Sequence, residues 1–343
     1  MAEIVVHGAG IFGLSIAWAC LNRGARVTVV DPNGVGAGAS GGLVGALAPH
    51  TPENWNAKKQ MQFDSLELAE TLWAEVAEAT GRDPGYARRG RVQPILDDRA
   101  LELARAREVT AGEVWQGRYH WQVRMADDLA PSPTGLVIFD SLSARIHPRR
   151  ATDALAEAVR RKGGVITDRT DGRSGIEVWA TGAAGLEALS QQVGTPVGNG
   201  VKGQAALLAH DLGPVPQIFG NGLHIVPHTD GTTAIGSTSE RDYDDPTSTD
   251  DQLEPLIEKA RALCPALRDA PVIERWAGLR PRAKSRAPML GAHPTKPGAY
   301  IANGGFKIGF GMAPICAALM ADLVLEGRDA IPDSFRPEAS LPG

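Results

Sequence analysis

Gly8-Ala9-Gly10-Ile11-Phe12-Gly13 is the stretch that decides the fold. An apolar, β-branched run from Ile4 to His7 precedes it, and a segment of helical character, Phe12 to Asn22, follows and is closed by Gly24. Arg26 to Asp31 then alternates β-branched residues and reads as a second strand. The chain therefore opens with a βαβ unit, which requires a parallel sheet. A G-x-G-x-x-G is a weak signal alone. Here a strand leads into it, a helix leads out of it, and an acidic residue ends the next strand, which is the setting of a dinucleotide site. Gly8 allows the tight turn, Gly10 lets backbone approach a pyrophosphate, and Gly13 lets the helix lie close to the sheet. Ile11 and Phe12 stand at the start of the helix, whose free N–H groups and positive dipole end favour phosphate. Asp31 is expected to accept a hydrogen bond from a ribose 2′-OH.

Outward from this unit, a Gly/Ala/Ser segment covers Gly34 to Gly45, and Gln60 to Thr80 shows helical spacing. Strands are expected at Gly90–Leu96 and Thr134–Asp140, with a charged helix at Ala100–Val109. Ala151–Lys162 reads as a helix ended by Gly163-Gly164, followed by strands at Val165–Thr167 and Ile176–Thr181. From Gly203 to Ser237 strands alternate with Gly- and Asp-containing turns, the pattern of an antiparallel sheet. Glu240 to Glu254 reads as an acidic, solvated loop. Ala299–Asn303 reads as a buried strand, and Gly311–Leu325 as a final helix stopped by Gly327. The α/β pieces thus lie at both ends and in the middle, with β-rich pieces between them.

At 343 residues the chain is long enough for two domains. With 35 Lys and Arg against 40 Asp and Glu the net charge is −5, which argues against nucleic acid or an anionic membrane surface as a partner. The 43% hydrophobic content supplies a large core. Three cysteines, Cys20, Cys264 and Cys316, exclude a paired disulfide framework and suggest a reducing compartment. The first residues lack the basic region and cleavage site of a secretory signal. The charge-free stretch between Lys307 and Asp322 is shorter than the roughly 20 residues of a membrane span. The expectation is a cytoplasmic protein with no membrane partner.

Four further segments carry a resemblance: Gly38-Ala39-Ser40-Gly41 with Gly45-Ala46-Leu47-Ala48-Pro49; Val178-Trp179-Ala180-Thr181-Gly182; Trp276-Ala277-Gly278-Leu279-Arg280-Pro281 with Pro288-Met289-Leu290-Gly291; and Asn303-Gly304-Gly305-Phe306-Lys307-Ile308-Gly309-Phe310-Gly311-Met312-Ala313-Pro314. Together with the glycine fingerprint they resemble the FAD-dependent amino-acid oxidase superfamily, which includes glycine oxidase, D-amino acid oxidase and monomeric sarcosine oxidase. The third segment is close to the glycine oxidase pattern, and the Gly-Phe-Lys of the fourth is more like sarcosine oxidase.

The resemblance implies an α/β fold in which a Rossmann-type FAD-binding domain (1–80, 145–200 and 285–343) carries an inserted antiparallel-sheet substrate domain (81–144 and 201–284). It implies noncovalent FAD, since no cysteine stands between Leu279 and Gly291. Gly8, Gly10, Ile11, Phe12, Gly13, Asp31, Ala39, Ser40, Thr181, Gly182, Gly309, Phe310, Gly311 and Met312 are the cofactor-binding candidates. Backbone N–H groups at Gly309 to Met312 would stabilise the negative charge of a reduced flavin. Arg280 offers a planar fork to a substrate carboxylate, and Lys307 offers a second positive charge. Both are the catalytic candidates, because hydride transfer from a neutral amine depends mainly on positioning. His50 is a further substrate-binding candidate.

The implied reaction is oxidation of the C–N bond of a small amino acid or N-substituted glycine, with O2 reoxidising the flavin and H2O2 released. A dehydrogenase passing electrons to a quinone or protein, and a non-catalytic flavin-binding subunit, are the alternatives.

Other patterns carry less. Gly38-Ala39-Ser40-Gly41-Gly42 matches G-x-S-x-G, but no strand leads into it, so a nucleophile elbow is not expected. His224 and His228 stand four apart in a strand-like run with Pro227 between them and share no helical face, so no metal site is expected. The 168–175 connection is a short polar loop where relatives usually carry extra strands over the adenine.

Overall fold

The computed structural model describes residues 2–169, 172 and 174–341. In chain order the elements are β1 (Glu3–His7), α1 (Ile11–Asn22), β2 (Arg26–Val30), β3 (Ala46–Leu47), α2 (Ala57–Thr80), β4 (Arg91–Pro94), α3 (Asp98–Val114), β5 (Trp121–Met125), β6 (Leu136–Asp140), β7 (Ala144–Arg145) and α4 (Pro148–Arg161). They continue with β8 (Val165–Thr167), β9 (Ile176–Trp179), α5 (Gly182–Val193), β10 (Gly198–Leu208), β11 (Gln217–Gly220), β12 (Leu223–Pro227) and β13 (Thr233–Gly236). The last are α6 (Leu253–Leu263), β14 (Val272–Ala283), β15 (Met289–Ala292), β16 (Tyr300–Asn303) and α7 (Gly309–Glu326).

The first sheet has the order β15-β16-β9-β1-β2-β8 and is parallel except for its edge strand β15. The opening βαβ unit lies at its centre, with β1 paired to β2 in unbroken register from Glu3↔Arg26 to His7↔Val30. Helix α1 is apolar on every side. Ile11, Leu14, Ile16, Trp18 and Cys20 are all buried, because α4 and α7 enclose it against the sheet. Helix α2 starts at Asn56, whose side chain accepts from the Lys58 and Lys59 N–H groups, and stops at Gly81 in the left-handed region (φ +67°).

Helix α7 corrects one expectation. With the turn before it, Phe306–Glu326 is 21 residues long and apolar enough, by length and composition, to cross a membrane. Charges near the ends do not shorten such a segment, so the Lys307–Asp322 interval underestimates it. Half of the stretch is buried, and it lies against α1 and α2 as a core helix.

The second sheet has the order β14-β10-β13-β12-β11-β4-β6-β5. It is not purely antiparallel: β4 and β11 run parallel. The chain enters this sheet on two separate passes, over β4 to β6 and over β10 to β14, and no hairpin joins β4 to β11 to impose opposite directions. The backbone of this sheet is the long β10–β14 pair, in register from Gly198↔Ala283 to Ala205↔Trp276 and beyond. Helix α6 covers one face through Leu253, Leu256, Ile257 and Ala260.

Two helices were not evident from sequence patterns. Helix α5 begins Gly-Ala-Ala-Gly, which hides its start, and α6 follows a stretch read only as solvated. That stretch is anchored rather than free. Glu240 is buried beside Lys202, with the carboxylate 3.5 Å from Nζ, and Asp250 lies 3.0 Å from the same Nζ. Of the 168–175 connection, residues 170, 171 and 173 lie outside the described residues, and the others form no strand.

Candidate active site

The β1–α1 turn is set by backbone collisions that only glycine avoids. Gly8 has φ +109°, and a Cβ there would stand 2.3 Å from the Ala180 carbonyl oxygen. A Cβ on Gly13 would stand 1.9 Å from the Gly8 oxygen. At Gly10 the nearest atom is the Ser40 hydroxyl, 3.1 Å from such a Cβ, so this glycine guards an approach rather than a packing contact. Asp31 braces the turn: Oδ2 accepts from the Ala9 N–H (2.8 Å) and Oδ1 from the Asn33 N–H (3.0 Å). A carboxylate has about four acceptor sites, so both oxygens keep capacity for another donor.

Ser40 sits in the short 3-10 turn Ala39–Gly41, and its hydroxyl accepts the Ile11 N–H at 2.9 Å. It thereby serves one of the orphan donors of α1 from 29 residues away. Phe12 and Gly13, in the same first turn, have no preceding helical carbonyl to serve them. Thus Ala39-Ser40 is a cap over a helix N-terminus, and no strand precedes it as an elbow would require.

The remaining cofactor candidates converge here. Thr181 and Gly182 follow β9 directly beside Gly8, and Asn303 Nδ2 donates to the Gly182 carbonyl at 2.9 Å. A Cβ on Gly305 would lie 2.9 Å from the Phe12 ring, and one on Gly309 would lie 3.6 Å from Ile11. The N-termini of α1 and α7 therefore abut, with Gly309, Phe310, Gly311 and Met312 in the first turn of α7. Two helix dipoles direct positive ends and free N–H groups to one place.

The other wall comes from β14. Arg280 is 8% exposed. Its Nη1 donates to Ser237 Oγ (2.6 Å), and its Nη2 donates to the carbonyls of Thr238 (2.7 Å) and Lys202 (3.0 Å). Its Nε is buried without a partner among the described residues. The expected free fork is thus largely engaged, leaving Nε–H and one Nη1 proton for a ligand. The guanidinium lies over Gly203, where a Cβ would come within 2.4 Å of it. Burial lowers the Arg280 pKa to about 10, against an opposing pull from Glu240.

Lys307 is exposed as a residue, yet its ammonium is held below the ordinary lysine value, first by desolvation and then by Arg280 and Arg282. All three cations surround Phe306, with charge-to-centroid distances of 5.6 Å (Arg280), 5.4 Å (Arg282) and 5.8 Å (Lys307). His224 approaches from β12. Burial and then the charges of Arg91 and Lys307 push it down to about 3, and its Nδ1 is buried without a partner among the described residues. His50 is held by Gln62. Its backbone N–H donates to Gln62 Oε1 at 2.7 Å, its ring bonds the same oxygen, and no described contact joins it to Arg280 or Lys307.

Sequence reasoning missed Arg282, Phe306 and His224 as neighbours of the site. The first was within reach: Arg-Pro-Arg in a strand puts residues 280 and 282 on one face. His224 was weighed only as a metal ligand, and no cluster able to hold a metal occurs among the described residues. A recess of about 370 Å³ beside α5 and β16 touches Thr181 but none of the other site candidates.

The family described as DAO, FAD dependent oxidoreductase, matches residues 3–323. The chain is 30% identical to the glycine oxidase of Pseudomonas putida over 372 residues, covering 99% of both chains. It is 28% identical over 347 residues to the bifunctional protein ThiO/ThiG of Nostoc sp., covering 95% of this chain and 53% of that one, so it spans about half the length of that relative. In fold it matches the crystal structure of glycine oxidase from Geobacillus kaustophilus with a TM-score of 0.83 at 22% identity, over 98% of each chain.

Proposed function

From the premise that the chain belongs to the FAD dependent oxidoreductase family, we propose that it oxidises the C–N bond of a small amino acid or N-substituted glycine and passes the electrons to O2. The cofactor is FAD, held without a covalent link. The residues present fit it: glycines 8, 10 and 13 clear a backbone cradle, two helix N-termini supply N–H donors, and Asp31 keeps acceptor sites. The proposal extends to the two units. Residues 1–80, 145–200 and 285–343 hold FAD, and residues 81–144 and 201–284 hold the substrate.

The observation that carries the reading is Arg280, a buried guanidinium with a free Nε and no carboxylate partner among the described residues, lying against Phe306 in the turn that leads into α7. A buried charge without a counter-ion is costly, and a substrate carboxylate supplies one. Bound FAD supplies the hydride acceptor. The chain's own residues hold the substrate: Arg280 takes the carboxylate and fixes the direction of the Cα–H, and Lys307 adds attraction at the mouth. His224, neutral at physiological pH, adds no charge beside the amine. The N–H groups from Gly309 to Met312 stabilise negative charge as it develops. The Cα–H bond breaks with its electron pair, the amine loses a proton, and C=N forms. Water then hydrolyses the imine to an oxo acid and ammonia or an amine. O2 takes up two electrons and two protons to become H2O2.

Anaerobic mixing of the yellow protein with glycine, N-methylglycine and other small amino acids tests this. Bleaching by one of them, reversed by air with peroxide formed, is the expected result. Bleaching reversed by a quinone but not by air would assign a dehydrogenase, and a protein bleached by no amine would be a non-catalytic flavin carrier.

A further inference from the structure

Resting on that reading, we propose that the preferred substrate is doubly anionic: a glycine whose nitrogen substituent ends in a second carboxylate or similar anion, the first anion held at Arg280 and the second between Arg282 and Lys307. Three cations gather around the Phe306 ring. Among the described residues none of them has a carboxylate within 4.0 Å. Other buried cations of the same sheet do have one: Arg91 pairs with Asp140 at 2.8 Å, and Lys202 pairs with Glu240 and Asp250. Among the described residues the compensation lies behind Arg280, where Lys202, Glu240 and Asp250 together carry one net negative charge. Two positive charges remain unbalanced at the front, which is the charge of a dianion with opposite sign.

Three like charges repel, and the Lys307 ammonium is held below its ordinary value first by desolvation and then by the charges of Arg280 and Arg282. Phe306, around whose ring they gather, has φ +43°, a left-handed conformation that is unfavourable for a bulky side chain. A single carboxylate needs one guanidinium. Arg282 is half-buried and Lys307 exposed, so the second anion would sit at the outer edge, where a long substituent on the amine would end. The bridge between Arg282 and Gly305 fixes the β14 backbone against the turn that carries Phe306 and Lys307, so the spacing of the two cations is built in.

The test compares two unreactive ligands of the holoenzyme, diglycolate and methoxyacetate, which share one carboxylate arm and differ in the second. Dissociation constants are read from the perturbed absorbance of bound flavin and, separately, from the shift in melting temperature. Diglycolate should bind roughly tenfold more tightly or better, as expected for added charge-assisted bonds. Arg282→Met and Lys307→Met should each bring the two ligands together, and Arg282→Lys should keep most of the preference. A wild-type ratio near one, a ratio unchanged in both Met variants, or no binding of either ligand overturns the proposal. The parent reading fails separately: an enzyme bleached by N-methylglycine with a ratio near one loses only the dianion site. An enzyme bleached by no amine, yet preferring diglycolate, loses the oxidase reading and keeps the site.

Discussion

Around the β1–α1 turn, three glycines within six residues clear space, and what they expose is backbone N–H. Around Arg280 the reverse holds. The groups that face the cleft are side chains, and they come from β14, β12 and the turn before α7, which stand far apart in the chain. On the proposed reading the first region recognises its ligand through conformation, with requirements that are steric and local. On the same reading the second recognises through charge, with requirements that are electrostatic and depend on several strands meeting. The two regions should therefore fail differently: damage to the first should remove FAD or the fold, and damage to the second should leave a yellow protein that has lost its substrate.

The largest effect belongs to Gly13→Val. Its Cβ would collide with the Gly8 carbonyl oxygen at 1.9 Å, and neither backbone segment can retreat without separating α1 from the sheet. A loss of more than about 4 kcal/mol is expected, read as a protein that is insoluble or melts without responding to FAD. Gly10→Ala meets only the Ser40 hydroxyl at 3.1 Å. It should fold and lose FAD affinity instead. A Gly13→Val protein that retains full flavin would break the steric account of this region.

Next comes Arg280→Leu, which should cost about 2–5 kcal/mol in kcat/KM on a carboxylate substrate, since it strips a desolvated charge from the bound anion. Flavin content should stay at the wild-type level. Arg280→Lys should recover only part, because a point charge cannot satisfy Ser237, Thr238, Lys202 and a ligand together. Gly203→Ala should reproduce part of the loss by displacing the guanidinium that lies over it. If Arg280→Leu instead loses FAD with activity per flavin unchanged, the division between the two regions is wrong at this residue.

The contrast also explains what could be read from the sequence. The cofactor candidates fall in short stretches whose meaning is local: a turn that needs glycine, a helix start, a strand end. The βαβ unit, α4, α7 and the glycine stop at 327 follow from the same kind of signal. Ser40 was placed by resemblance, but its role as cap on Ile11 depends on a bond across 29 residues that no local pattern encodes. On the other side, Arg280 and Lys307 were legible as charges in a recognisable segment. That Arg282 joins them around Phe306, and that His224 stands close to Lys307, depends on the pairing of β14 with β10 and of β12 with β13. The buried Lys202–Glu240–Asp250 group was invisible for a further reason: its acids lie in a stretch whose composition is that of a solvated loop.

A smaller effect sharpens the cofactor side. Asp31→Ala should weaken FAD binding by about 1.5–3 kcal/mol, the range for a hydrogen bond to a charged group. Because Asp31 also braces Ala9 and Asn33, the apoprotein should lose some stability as well. Melting curves with and without FAD separate the two contributions. Asp31→Asn should keep most of the brace, since its amide oxygen can still accept from Ala9. Equal FAD affinity in wild type and Asp31→Ala would remove the ribose role.

The smallest expected effect concerns the seam between the two regions. His228, directly after β12 of the eight-stranded sheet, reaches the loop before β3: its Nε2 lies 3.0 Å from the Leu43 carbonyl, so the ring donates from Nε2 and is bare at Nδ1. Nδ1 is buried without a partner among the described residues, and the ring lies 4.4 Å from that of His147. The groups that face it are His147, Arg145 and Asp230. Burial lowers the His228 pKa from 6.5 to about 4; His147 and Arg145 press the same way, and the Leu43 bond and Asp230 oppose them. The folded pKa is below the unfolded one, so the unfolded chain takes up the proton first as pH falls. Stability is full above pH 6.5 and is lost progressively down to about pH 4. Between pH 7 and pH 5.5 this amounts to about 1 kcal/mol. His228→Gln keeps a donor for Leu43 and removes the titration, so its denaturant midpoint should fall less over that interval than the wild type's. An identical acid slope in the two proteins would show that the seam is not held by the neutral form of this histidine, and that the two regions meet through contacts indifferent to charge.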